Sequence, residues 1–339
     1  MAEQARLAVL GAGGWGTALA LMADRYGHAV SLWSPFAQEI AEIRRFDEHR
    51  RLLPGVPVPP SVRLTDDLSC VREARLVILA VPSFAVAETA ARLRPVLTPG
   101  TLVANAGKGL EAGTHRRFTQ VIAEALPAAR VAALSGPSHA EEVARGVPTS
   151  VLSASEDIAA AEEVQELLMN PRFRVYASDD VAGVELGGAL KNVIALAAGI
   201  CDGLEIGDNT KAALMTRGLA EMARLGIALG ARAETFAGLS GMGDLIVTCG
   251  SLHSRNRRAG ILIGQGLAPE EAVRRVGTVE GYHAARAGWE LARSCGVEMP
   301  ITEQCYAVCY QGQPPREAIS RLMERPRRHE TEAGWRPRA

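Results

Sequence analysis

Aromatic side chains are scarce in this chain, only 4% of 339 residues, so Ala, Leu, Val and Gly must fill most of any core. Excess charge of either sign is lacking too. The 37 Lys and Arg against 38 Asp and Glu leave a formal net charge of -1, which excludes the broad positive field that nucleic acid or an anionic membrane surface selects. An anionic substrate must then be caught by a few placed cations. No stretch reaches the ~20 uninterrupted apolar residues that a spanning helix requires. The first six residues carry charge of both signs and the apolar run after them breaks at Gly11, which is not a signal-peptide pattern. No membrane insertion is expected. The six cysteines (Cys70, Cys201, Cys249, Cys295, Cys305, Cys309) form no CxxC and no Cys/His pair at zinc spacing. Cys305 and Cys309 can share a helix face, but two thiols do not make a metal site. No metal is expected, and reduced, packed thiols of a cytoplasmic protein are the simplest account.

What is present suits two domains: 339 residues, 47% hydrophobic and 22% charged. Leu7–Leu10, Ala29–Trp33, Leu76–Val81, Thr101–Ala104 and Val131–Leu134 are short apolar runs of the kind that form buried parallel strands. Val147–Leu152 and Phe173–Tyr176 extend the series. Helical stretches alternate with them at 84–93, 116–126 and 158–168, which predicts an α/β, Rossmann-type domain with a doubly wound, mostly parallel sheet. From about Asp179-Asp180 strand-like runs disappear and helical patterns take over, at 181–198, 211–229, 269–276, 283–294, 302–310 and 316–323. The expected organisation is a dinucleotide-binding domain at 1–180, an all-α C-terminal substrate domain at 181–325, and a polar, proline-punctuated tail at 326–339 that is expected to be mobile.

Gly11, Gly13 and Gly16 match GxGxxG directly between a strand and a helix, the context that motif needs. The first glycine permits the tight turn and the second lets backbone approach a pyrophosphate. The third lets the helix pack on the strand with its N-terminus toward the phosphates. An acid about 20 residues on normally grips the ribose of NAD. Here Leu32-Trp-Ser-Pro-Phe36 offers neither acid nor arginine. Ser34 could hydrogen-bond a ribose hydroxyl or a phosphate, Arg44 and Arg45 lie further along, and the choice between NADH and NADPH stays open.

Further motifs go beyond a generic dinucleotide fold: NAGKGLE at 105–111, LSGPSHAE at 134–141, GGALKNV at 187–193, GDNTKAA at 207–213, GMGD at 241–244, SRN at 254–256 and VEG at 279–281. Together, and in order from about residue 7 to 323, they closely resemble the bacterial NAD(P)-dependent glycerol-3-phosphate dehydrogenase family. The resemblance implies reversible reduction of dihydroxyacetone phosphate to sn-glycerol 3-phosphate with NADPH or NADH, for glycerophospholipid synthesis. It implies Lys191 as the catalytic lysine and Lys108 near both nicotinamide and substrate. Substrate contacts are implied at Gly136, Ser138 and Asp244, and the substrate phosphate at Ser254, Arg255 and Asn256. Cofactor contacts are implied at Trp15, Ala140, Arg255, Val279 and Glu280, beside the glycine loop with Gly14. Members are often dimers, although no sequence feature here requires it. The chain departs from the family in three places. Ser34-Pro35 stands where a basic residue or His usually follows the tryptophan, Gly14 replaces the usual Ser or Ala, and VGTVEG is one residue shorter than usual.

The chemistry accounts for these residue types. Hydride delivery to a ketone builds negative charge on oxygen, and a proton donor there is typically worth ~10²–10⁴-fold. A lysine can donate if burial and neighbouring cations bring its pKa down from about 10.4. A helix lysine is usually solvated, but Lys191 lies among small apolar residues and must find a pocket or a partner. By residue type Asp244 reads better as a turn aspartate after Gly-Met-Gly than as a site carboxylate, and Arg255 cannot be separated from Arg257 and Arg258. Arginine supplies the fixed fork that a phosphate needs. His139 invites a general-base role but reads as readily as a packed loop residue, and it is not assigned that role. The competing readings are another two-domain dehydrogenase acting on a hydroxy acid or sugar acid, and a nicotinamide-sensing protein without turnover.

Overall fold

The computed structural model describes residues 4–327, 329 and 330. Most of the 326–339 tail therefore lies outside the described residues. Contacts divide the chain into two compact units, one of residues 4–107 with 116–181, the other of 108–115 with the described residues from 182 onward.

The first unit holds, among the described residues, eight strands: Arg6–Leu10 (β1), Ala29–Trp33 (β2), Arg63–Thr65 (β3), Leu76–Leu79 (β4), Leu102–Asn105 (β5), Arg130–Ser135 (β6), Thr149–Ala154 (β7) and Phe173–Ser178 (β8). They form one sheet in the order β3-β2-β1-β4-β5-β6-β7-β8. Every neighbouring pair is parallel except β6 with β7. This is the doubly wound arrangement expected, with a reversal of direction beyond β6. β3 has no counterpart in the sequence reading because three residues on a sheet edge are too few to show a period.

Among the described residues six α-helices accompany the sheet: Gly14–Arg25 (α1), Ala37–Phe46 (α2), Val86–Leu93 (α3), Phe118–Ala125 (α4), Ala140–Ala144 (α5) and Ile158–Leu168 (α6). Side chains alternate across a strand, so β1, β4 and β5 feed two cores. Leu7, Val9, Leu76, Ile78 and Leu102 pack with α1, α2, α5 and α6. Ala8, Leu10, Val77, Leu79 and Val103 pack with α3 and α4 through Val86, Leu93, Phe118 and Ile122. Burial on both faces explains why these strands read as unbroken apolar runs.

The second unit is helical: Val181–Gly203 (α7), Asp208–Ala228 (α8), Ala233–Phe236 (α9), Asp244–Gly250 (α10), Arg255–Gly264 (α11), Pro269–Val276 (α12), Glu280–Ser294 (α13), Pro300–Tyr310 (α14) and Pro315–Met323 (α15). α7 is its axis. Leu190, Val193, Ile194 and Ala197 join one apolar cluster, whereas Leu196 and Ile200 join another with Ile263 and Val308. A helix apolar all round belongs inside. α7 is long and apolar enough to cross a bilayer, but the apolar stretch is wholly buried in the fold. The six cysteines, all described, are unpaired, and Cys201, Cys249, Cys305 and Cys309 are buried.

Candidate active site

At Gly11 and Gly16 the glycine loop packs as its spacing predicts. Gly11 has φ +112°, and a Cβ there would press on the Ala80 carbonyl at 2.7 Å. A Cβ on Gly16 would collide with the Gly11 carbonyl, so its absence seats α1 on β1. Gly13 differs: a Cβ there would meet nothing within 4 Å. The first turn of α1 holds no acid, and its cap makes no side-chain hydrogen bond. Open space in front of uncapped amides is what a pyrophosphate needs, so these residues fit a dinucleotide. Trp15 is tethered by its Nε1, which donates to the Ala106 carbonyl at 3.2 Å. Ala140 faces Gly14, whose added Cβ would lie 3.8 Å from the Ala140 Cβ.

Gly136 adopts φ +124° against the Val151 backbone, and the Ser138 hydroxyl donates to the Gly136 carbonyl at 2.9 Å. His139 caps α5 through its carbonyl, which accepts from the amides of Glu142 and Val143.

Ser34 is buried, and its Oγ donates to Glu39 Oε2 at 2.6 Å while accepting from the Phe36 amide. Its proton is therefore committed inside the protein, not held ready for a phosphate. Glu39, in the first turn of α2, was missed in sequence because α2 was not recognised. Burial would raise its pKa, but His49 and Ser34 bring it below the usual carboxylate range. Arg44 donates to the Leu64 carbonyl and Arg45 lies against the Phe46 ring.

The second unit gathers the charged residues. Lys191, on α7, is only 5% exposed. Its Nζ donates to Asp244 Oδ1 at 2.8 Å and to Thr248 Oγ1 at 2.6 Å. The other carboxylate oxygen of Asp244 pairs with Lys108 Nζ at 2.7 Å, so one buried anion bridges two amines. Glycine makes this possible. A Cβ on Gly187, one turn before Lys191, would press on the Ser240 carbonyl at 2.8 Å. A Cβ on Gly241 would collide with the backbone of Phe236. The two glycines let 239–243 lie against α7 and start α10 with Asp244 beneath the lysine. Lys108 belongs to the short 108–115 excursion, which Leu110 anchors in the apolar core around α7 and His115 ties to Glu290 on α13 at 2.6 Å.

Burial pushes the Lys191 amine down to about 8; Asp244 opposes that and Lys108 assists it. For Asp244 burial acts in the opposite sense, toward protonation, yet the charges of Lys108 and Lys191 win and hold it below the usual range. Thr248, four residues after Asp244 on α10, gives its hydroxyl proton to the Asp244 carbonyl at 2.6 Å and so presents a lone pair to the lysine. Sequence reasoning missed it, although i,i+4 spacing puts it on the Asp244 face of a helix.

Ser254 caps α11, its Oγ accepting from the Arg257 amide. Asn256 is buried and oriented from two sides: Nδ2 donates to Asn192 Oδ1 at 2.8 Å and Oδ1 accepts from the Gly281 amide at 2.9 Å. Arg255 is exposed at the first position of α11. Arg257 is committed to Asp202 and to the Gly250 carbonyl, which removes one of the three arginines that residue type could not separate. Glu280 opens α13. Val279 departs from the reading as a cofactor contact. It is completely buried in the apolar cluster with Leu196 and Ile263 and presents no surface to a ligand.

Family models described as the NAD-dependent glycerol-3-phosphate dehydrogenase N-terminus and C-terminus match residues 6–161 and 180–320. A glycerol-3-phosphate dehydrogenase [NAD(P)+] of Moorella thermoacetica is 54% identical over 330 residues, covering 97% of this chain and 98% of that protein. One of Desulfitobacterium hafniense is 53% identical over 329 residues, covering 97% and 94%. The crystal structure of glycerol-3-phosphate dehydrogenase from Coxiella burnetii superposes with a TM-score of 0.91 at 40% identity, covering 95% of this chain and 99% of that one.

Proposed function

This chain belongs to the NAD-dependent glycerol-3-phosphate dehydrogenase family, and from that premise we propose that it reversibly reduces dihydroxyacetone phosphate to sn-glycerol 3-phosphate. The product would serve glycerophospholipid synthesis in the cytoplasm. The observation that carries this reading is the buried carboxylate of Asp244 held between Lys191 and Lys108. The glycine loop and the start of α1 would hold the dinucleotide, NADH or NADPH, which when bound would supply the hydride for the ketone carbon. Lys191 supplies the proton. Two of the three N–H donors of its ammonium are used by Asp244 and Thr248, leaving one for the oxygen on which charge develops. Lys108 adds a second positive charge beside that oxygen, and Asp244 keeps both amines in place. Arg255, with Ser254 and Asn256, holds the phosphate.

The test is a substrate panel with purified protein. Dihydroxyacetone phosphate should be reduced far faster than ketopantoate or a keto-sugar acid with either coenzyme. Faster turnover of a keto acid, or coenzyme binding without any turnover, would overturn the proposal.

A further inference from the structure

Beyond the groups that would touch substrate, the second unit contains a partly buried ion network that the proposed chemistry does not use. Asp202, in the last turn of α7, accepts from Lys211 Nζ at 2.9 and 3.0 Å and from Arg257 Nε at 2.6 Å. The same guanidinium donates through Nη1 to the Gly250 carbonyl at 2.8 Å. One arginine therefore joins the end of α7, the end of α10 and the first turn of α11. The side chains of Asp202, Lys211 and Arg257 are 22%, 15% and 16% exposed, so this is not a solvated surface pair of negligible worth.

The network sits on an unusually close seam. A Cβ on Gly199 would collide with the Arg257 carbonyl, and one on Gly203 with that of Ile261. From the other side, a Cβ on Gly260 would collide with the Leu196 carbonyl. α7 and α11 thus touch backbone to backbone at these glycines, with Leu196, Ile200 and Ile263 packed together beside them. The charges at the seam add a directional tie to that non-directional apolar packing. Lys191 and Asn192 ride on α7, and Ser254, Arg255 and Asn256 stand at the start of α11. Any slippage between the two helices moves the phosphate-holding turn relative to the amine.

We propose that Asp202 and Arg257 are positioning residues, which fix the start of α11 so that Arg255 and Asn256 meet the substrate phosphate at a set distance from Lys191. The inference rests on the reading of Ser254–Asn256 as the phosphate site. Asp202 is suited to the task because it stays ionised: burial would raise its pKa, but Lys211 and Arg257 hold it below the usual range. The Asn192–Asn256 bond transmits the alignment to the neighbour of the lysine.

The experiment compares Asp202→Asn with Arg255→Ala in the full-length enzyme, on dihydroxyacetone phosphate and on phosphate-free dihydroxyacetone. For Asp202→Asn the expected result is a KM for the phosphorylated ketone raised about tenfold, the scale of a sub-ångström misplacement. Its kcat should change less than about twofold, and kcat/KM for dihydroxyacetone should be unchanged. A merely structural role would lower Tm and reduce turnover of both ketones alike, and that outcome overturns the proposal. So does an unaltered KM in Asp202→Asn when Arg255→Ala raises it. If Arg255→Ala itself leaves KM unchanged, the phosphate reading fails instead. Should Asp202→Asn not fold, Arg257→Lys replaces it, since a lysine can keep the charge but cannot serve Asp202 and Gly250 with one rigid fork. The same split between KM and kcat is expected, and its absence counts against the proposal.

Discussion

An amine in water holds its proton until well above neutral pH, and what burial does to Lys191 is to make that proton available. With its pKa brought to about 8, the ammonium is mostly charged at neutral pH and a better acid than an exposed lysine. Ketone reduction needs the protonated form, so kcat/KM for reduction should fall as pH rises through about 8. Oxidation needs the free amine and should rise over the same interval. Asp244→Asn removes the one anion beside two cations, so the descending limb should move to lower pH. A limb that stays put would show that Asp244 does not hold the lysine's charge. Lys191→Met should cost ~10²–10⁴ in kcat while NADH fluorescence still reports binding. Near-normal kcat would assign the proton to another group.

At the scale of an element, the three glycines of one loop differ in kind. Gly16 is needed for packing, since a methyl group there would strike the Gly11 carbonyl, and Gly16→Ala should destabilise the whole first unit. Gly13 has ordinary negative φ and empty space before it. Gly13→Ala should therefore fold normally, even with a gain of about 0.4–1 kcal/mol from the stiffer unfolded chain, yet lose affinity for the coenzyme whose phosphates would fill that space. Thermal melting and NADH titration of the two variants separate the roles. Normal NADH affinity in Gly13→Ala would place the pyrophosphate elsewhere.

For the molecule as a whole, stability should carry the signature of one carboxyl that catalysis does not use. Glu221 on α8 is buried, and its oxygens accept from the amides of Ile301 and Thr302 in the first turn of α14. Burial pushes its pKa up to about 7, although those amides pull the other way. The folded state then binds this proton more tightly than the unfolded chain does. The contribution is fully present below about pH 4.5 and is lost as pH rises through about 7. Glu221→Gln cannot titrate, so the Tm of wild type minus that of the variant should decrease from pH 5 to pH 8. A difference that is flat with pH would mean that the carboxyl is already ionised in the fold.

The apolar runs and periods were enough to read the parallel sheet and the helical second half, and the GxGxxG spacing to read the glycine loop, because buried strands, helix faces and tight turns are written in neighbouring residues. β3 and α2 escaped because one is three residues long and the other follows an irregular Ser-Pro-Phe turn. The roles proposed for Lys191, Asp244 and Arg255 were not legible from residue type. A lysine on a helix, an aspartate after a turn and an arginine among arginines have the same local appearance whether solvated or buried. The family resemblance singled them out, but only the folded chain joins Asp244 to two amines from residues 53 and 136 positions earlier, commits Arg257 to Asp202, and buries Val279. Those are long-range facts, set by how α7 packs against its neighbours, and Coulomb forces and desolvation act on distance in space, not along the chain.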